Sequence, residues 1–347
     1  MRSAISWTRV SILMPTALLA VTLLIAACGG DEDKPKPTIK LSDTQFESLW
    51  INNAIAKFVI EKAYGNPVES VELTTPTMQV AFTKGDIDVN MELWQQNWID
   101  DYTEQIGKGT ITNLGPTYEG GPQFFIIPKT TAEKHNIKTV EDMKAHWELV
   151  KDPEDSSKGQ FHNCPIGWQC AEINRAKIQA YGLDEFFNII SGGAQASLDA
   201  ALVGAQKKNE PVFGYYWAPT SIMGAYEWTI LEEPAYSKEC WEEVAKGQED
   251  ASYTPKQACA YETLPIDKGV SKDMLDKAPD VVEMLKKMNV GLTPINKTAA
   301  WAAETDIQGD WSKAAVYYLQ NFEDRWTTWM PAANAQKVKD ALASIAD

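Results

Sequence analysis

The chain has 347 residues, of which 32 are basic and 48 acidic, giving a formal charge of −16. An acid excess of this size disfavours nucleic-acid and anionic-membrane partners, which are held by basic surfaces. The length exceeds what one hydrophobic core of typical size (about 100–150 residues) organises, so two lobes are expected.

Arg2 and Arg9 flank the start of an apolar run over 12–27 that ends in Leu24-Ile25-Ala26-Ala27-Cys28. Basic residues, an apolar stretch and small residues at its exit make 1–27 an export signal rather than a fold element. The small residues before the cysteine resemble the bacterial lipobox, which implies that Cys28 becomes the lipidated first residue of a lipoprotein. An uncleaved transmembrane helix is the rival, but no second apolar run of spanning length follows. Residues 28–37, rich in Gly, Pro and charge, read as a flexible tether.

Strand-like and helical stretches then alternate: a strand over 38–41, a helix over 47–64, a strand over 68–73 and a helix over 78–84. That alternation predicts an α/β fold with largely parallel sheets. Gly85-Asp86-Ile87-Asp88-Val89-Asn90 is a helix exit into a strand, and the aromatic segment 91–98 follows where ligand groups are expected, at a strand's carboxyl end. Residues 123–128 read as another strand, a helix starts over 139–144, and the apolar-aromatic strand 211–217 runs into Ala218-Pro219. Amphipathic helices over 272–288 and 311–329 close the chain, with Trp326 and Trp329 expected in the core.

Of five cysteines, Cys28 is taken by the expected lipidation, and the other four can pair in an oxidising compartment. Sequence order pairs Cys164 with Cys170 and Cys240 with Cys259. A zinc site is the rival, although tetrahedral thiolate sites favour closer Cys pairs.

Thirteen tryptophans are many for this length, and Trp7 lies in the leader. Trp94 follows a strand, Trp168 sits inside the Cys164 to Cys170 loop, and Trp217 ends a strand. At such turns and strand ends a ring is poorly placed to fill a core. These segments, with Cys164-Pro165-Ile166-Gly167-Trp168-Gln169-Cys170 and Tyr215-Tyr216-Trp217-Ala218-Pro219, resemble the glycine betaine/proline betaine-binding proteins of ABC importers. Gly120-Gly121-Pro122-Gln123 and Asp306-Ile307-Gln308-Gly309 extend the resemblance over essentially the whole chain after the leader.

The resemblance implies a two-lobed periplasmic-binding-protein-like fold of type II with the ligand in the interlobe cleft. Residues 38–126 and 264–347 would form the first lobe and 127–263 the second. Trp94, Trp168 and Trp217 would form a cage for a quaternary ammonium, whose methyl groups donate no conventional hydrogen bond and whose charge suits electron-rich indole faces. The backbone N–H groups of Gln169 and Cys170 would hold a ligand carboxylate.

This chain departs from the family pattern at several positions. Trp98 stands where relatives often place a histidine, and either adds an aromatic wall or packs. Glu92 and Glu119 lie close to the expected site loops, where a carboxylate could complement a cation or accept a hydrogen bond from a hydroxyl. If Glu119 faces the ligand, choline or trimethylamine N-oxide gains on betaine. Trp50, on the first helix, is a lesser candidate wall.

An enzyme is not expected: His135, His146 and His162, the only histidines, show no metal spacing and flank no nucleophile motif. A secreted glycan hydrolase is the remote alternative, and would need two carboxylates about 5 to 10 Å apart in the cleft. No cofactor or metal is expected. The expected partners are a small quaternary-ammonium ligand, the class that includes glycine betaine, choline and carnitine, and an ABC permease with its cytoplasmic ATPase. The protein itself is expected to be a monomer in the periplasm or on the outer face of the cell membrane, held there through the lipid.

Overall fold

A computed structural model describes residues 35–98 and 102–345; residues 1–27, expected to be an export signal, and Cys28 lie outside the described residues. Among these described residues ten strands are formed in chain order: β1 (Ile39–Asp43), β2 (Val68–Glu72), β3 (Val89–Leu93), β4 (Ile111–Tyr118), β5 (Gln123–Pro128), β6 (Gly159–Asn163), β7 (Phe187–Ser191), β8 (Gly214–Trp217), β9 (Trp228–Ile230) and β10 (Ile266–Ser271). They assemble two five-stranded sheets, ordered β2-β1-β3-β10-β4 and β7-β6-β8-β5-β9. Each sheet is covered by helices, and the fold is a two-lobed α/β architecture.

The expectation of largely parallel sheets is corrected, because both sheets are mixed. β1 runs parallel to β2 and β3, and β6 parallel to β7 and β8. β10 runs antiparallel to β3 and β4, and β5 antiparallel to β8 and β9. The two reversed strands are those that enter a sheet from the other lobe: β5 follows the passage out of β4, and β10 follows the return. A chain arriving from the neighbouring lobe starts at the cleft end of the sheet and runs away from it. The two passages are joined to each other, since the Gly121 N–H donates to the Leu264 carbonyl at 3.0 Å.

Local sequence accounts for the helix boundaries. The first helix is α-helical over Glu47–Val59 and continues as a π-helical turn over Ile60–Tyr64 before Gly65 ends it in the left-handed region. The expected helix over 272–288 is two short helices, Met274–Lys277 and Pro279–Lys287. Pro279 starts the second because its ring suits a first helical turn and cannot continue a preceding one. Likewise 311–329 divides into Trp311–Asn321 and Glu323–Trp326. Trp326 and Trp329 are buried in the core, and the Trp326 indole N–H donates to the Leu319 carbonyl at 2.7 Å. Both expected disulfides are present, Cys164–Cys170 and Cys240–Cys259, so none of these four thiols is available to a metal.

Candidate functional site

The carboxyl ends of four parallel strands, β1 and β3 of one sheet and β6 and β8 of the other, meet across a cleft. Each delivers an aromatic ring. The turn after β1 carries Phe46, held there by Gln45 in the left-handed region (φ 65°) and by the Gln45 N–H donating to Asp43 Oδ1 at 2.8 Å. Trp94 directly follows β3, Trp168 is the N-cap residue of the helix Gln169–Ala180 beyond β6, and Trp217 ends β8. Open α/β sheets place ligands at such strand ends.

Phe46 lies edge-on to all three indoles, with ring centroids 6.4 Å from Trp94, 5.6 Å from Trp168 and 6.5 Å from Trp217. Trp168 and Trp217 are themselves T-shaped at 5.3 Å. Together they line one cleft between the two sheets, the concave and largely aromatic kind of surface that takes small molecules. Thr44, Met78, Gln123 and Tyr215 complete the walls together with Glu92, Trp98, Gln169 and Cys170.

The rings are fixed from behind. Tyr216 stacks on Trp217 at 4.5 Å and Tyr215 at 6.0 Å, with the Tyr215 hydroxyl donating to Gln123 Oε1 at 2.7 Å. Gln123 and Asn97 exchange amide hydrogen bonds of 3.3 and 3.1 Å. Trp94 leans on the passage between lobes: a Cβ on Gly121 would stand 2.8 Å from Trp94 Cζ3 and 2.2 Å from Ile266 Cδ1, so only glycine fits. Its indole N–H donates to Glu92 Oε2 at 3.0 Å. Burial pushes the Glu92 carboxyl up to about 7, against the opposing effect of hydrogen bonds from Tyr118, Ser48, Trp94 and Asn52.

At the other wall the Cys164–Cys170 bridge closes the loop that presents Trp168. Gly167 takes φ 88°, and its carbonyl accepts from the Thr75 N–H at 3.1 Å, tying this loop to the opposite lobe. The N–H groups of Gln169 and Cys170 open the helix, where the first donors have no intrahelical acceptor and the helix dipole is positive. Both residues line the cleft, so this end of it suits an anionic oxygen.

Seven of the nine candidate ligand residues thus come together: Trp94, Trp168, Trp217, Gln169, Cys170, Glu92 and Trp98. Trp98 sits at the edge, nearly buried and tilted against Tyr102 at 5.5 Å. Two lie elsewhere. Trp50 stacks on Trp311 at 5.1 Å and donates its indole N–H to Asp43 Oδ1, outside the cleft. Glu119 is exposed and lines a separate cavity with Asn289, Gly291 and Arg325. Phe46 is the aromatic wall that sequence reasoning missed, and Thr44, Met78, Gln123 and Tyr215 were not among the candidates either; Phe46 stands three residues beyond the end of β1.

Residues 37–321 match the family described as the substrate binding domain of ABC-type glycine betaine transport systems. The chain is 27% identical over 307 residues to a glycine betaine-binding periplasmic protein of Dickeya dadantii, covering 85% of this chain and 88% of that one. It is 22% identical over 322 residues to a trimethylamine N-oxide-binding protein of Pelagibacter ubique, covering 90% and 96%. In fold it resembles an ABC-transporter choline-binding protein solved with choline, at TM-score 0.67 and 17% identity, covering 88% of this chain and 98% of that one.

Proposed function

The chain belongs to the family of substrate-binding domains of ABC-type glycine betaine transport systems, and from that premise we propose that Trp94, Trp168, Trp217 and Phe46 cage the methylated ammonium of glycine betaine or a related osmolyte. The observation that carries this reading is the convergence of three indoles on one phenyl ring, all within 6.5 Å of it, at the strand ends of both lobes. A cation–π contact contributes about 0.5 to 2 kcal/mol per ring, so three indoles give roughly 2 to 6. Micromolar affinity needs about 8 kcal/mol. The N–H groups of Gln169 and Cys170 supply the remainder by holding the ligand's carboxylate or hydroxyl oxygen.

Walls from both lobes make the ligand a bridge: β1 to β4 with β10 act as one lobe and β5 to β9 as the other, β5 lying whole in the second although the expected boundary at 126 would divide it, and binding favours their closure. No chemical step is involved. The closed monomer docks on a membrane permease driven by a cytoplasmic ATPase. Lipidation of Cys28 tethers it at the periplasmic or outer face of the membrane.

Calorimetric titration of residues 29–347 with glycine betaine, proline betaine, choline, carnitine, dimethylsulfoniopropionate and trimethylamine N-oxide tests the reading. At least one member binds at micromolar level or tighter if it is right. Silence across the panel removes it.

A further inference from the structure

Glu92 is a buried carboxyl group, 3% exposed, that lines the cleft and is surrounded by donors but by no cation among the described residues. Asn52 Nδ2 donates to Oε1 at 2.7 Å, and Ser48 Oγ and the Trp94 indole N–H donate to Oε2 at 3.2 and 3.0 Å. These neighbours, from the helix Glu47–Val59 and from the residue after β3, are all uncharged. The titratable group that faces it is Tyr118 of β4, whose phenol burial holds well above its ordinary range.

A buried carboxylate is costly unless it is paired, and hydrogen bonds from neutral donors offset only part of that cost. The missing partner is a positive charge. The cleft on the far side of Trp94 is where the cage reading places one. A carboxylate that accepts the indole N–H also fixes the plane of the ring and enriches it in electrons, which strengthens its attraction for a cation.

We propose that Glu92 is a positioning residue and the buried counter-charge of the cage, acting through the Trp94 indole, so that capture of a methylated ammonium is coupled to release of one proton from Glu92 to solvent. The balance is simple: the neutral acid loses its proton to the buffer, and the carboxylate left behind is neutralised by the bound cation. This rests on the cage reading and adds to it a requirement for charge rather than for shape alone. With the free carboxyl titrating at about 7, affinity for the cation rises with pH through that value. The sign follows because the ligand favours the ionised form.

The test is calorimetry on the purified protein at pH 6, 7 and 8, in two buffers of different protonation enthalpy. The probes are glycine betaine, choline and 3,3-dimethylbutan-1-ol, the uncharged carbon isostere of choline. The cations are expected to bind about tenfold more weakly at pH 6 than at pH 8, with close to one proton released at pH 6, and any binding of the isostere to be independent of pH. Glu92→Gln keeps an acceptor for the indole N–H but cannot ionise, and should bind the cations with a flat pH profile. Cation binding without pH dependence or proton release overturns the proposal and leaves the cage standing; so does an unchanged pH profile in Glu92→Gln. Failure of both cations to bind at every pH removes the cage and the proposal together. Should Glu92→Gln fail to fold, the buffer series on the unaltered protein still decides.

Discussion

The carboxylate of Glu47, just after the first strand of one lobe, accepts two hydrogen bonds from Ser221 of the other, from its N–H at 2.9 Å and its hydroxyl at 2.8 Å. The Glu47 N–H in turn donates to Gln195 Oε1 at 2.8 Å, so one residue is bound to two helices across the cleft. Hydrogen bonds to a charged group are worth about 1.5–3 kcal/mol. Glu47→Ala should therefore weaken ligand affinity by roughly 10-fold or more and enlarge the ligand-bound radius of gyration in small-angle scattering. Ser221→Ala retains the backbone bond and should cost less. Equal affinity in both variants and the parent would show that the contact does not help closure.

Phe46 and Trp168 should respond differently to truncation. Phe46 is buried among three rings, and Phe46→Ala should lower stability by about 3 kcal/mol as well as weakening binding. Trp168 is half-buried at the cleft, so Trp168→Ala should lose affinity with a smaller change in stability. Urea unfolding paired with titration separates the two effects.

The two disulfides should separate in the same way. Replacing both Cys164 and Cys170 by Ser frees a short loop and should cost about 2 kcal/mol of stability, yet it disorders the segment that carries Trp168 and the Gln169 and Cys170 N–H groups, so affinity falls further. Replacing Cys240 and Cys259 opens a longer loop, worth about 3 kcal/mol, away from the cleft lining. Affinity in that variant should be retained.

Ligand-free stability should rise as pH falls from 8 to 6. Burial pushes two carboxyls up to about 7, Glu92 and Asp199, the latter held by the Tyr216 hydroxyl at 2.7 Å. A carboxyl whose folded pKa exceeds its unfolded one contributes stability that is fully present below the unfolded pKa and lost as pH rises through the folded value. Each group contributes up to about 1.4 kcal/mol per pH unit over this window. Thermal melts across pH 6 to 8 check the slope, and Glu92→Gln should roughly halve it.

Much of the candidate site could be read in the sequence because its rings sit where strands stop. Trp94, Trp168 and Trp217 were each marked by a strand end or a cysteine bracket. Phe46 carried no such mark, since a lone apolar residue before a helix usually staples that helix to the core, and only the left-handed turn at Gln45 sends it into the cleft. Trp50 was a matter of helix azimuth: its face is set by Trp311, far along the chain, which periodicity cannot reveal. Glu119 precedes the Gly120-Gly121 turn by one residue, and the turn's geometry leaves it exposed on the outside. Sheet direction was misjudged for a similar reason. Alternating strands and helices imply parallel neighbours, but β5 and β10 join sheets across a lobe boundary, and their direction is fixed by that crossing rather than by local pattern.

The contact between Trp94 and Gly121 ties the cage to the passage between the lobes. In the proposed cage the same ring would face the solute while resting on one of the two strands of chain that join the lobes. A wider side chain at 121 would push the ring inward and stiffen or splay that passage at once. On the proposed reading, a substitution at 121 is therefore expected to change how long the solute stays, although the solute never meets that residue.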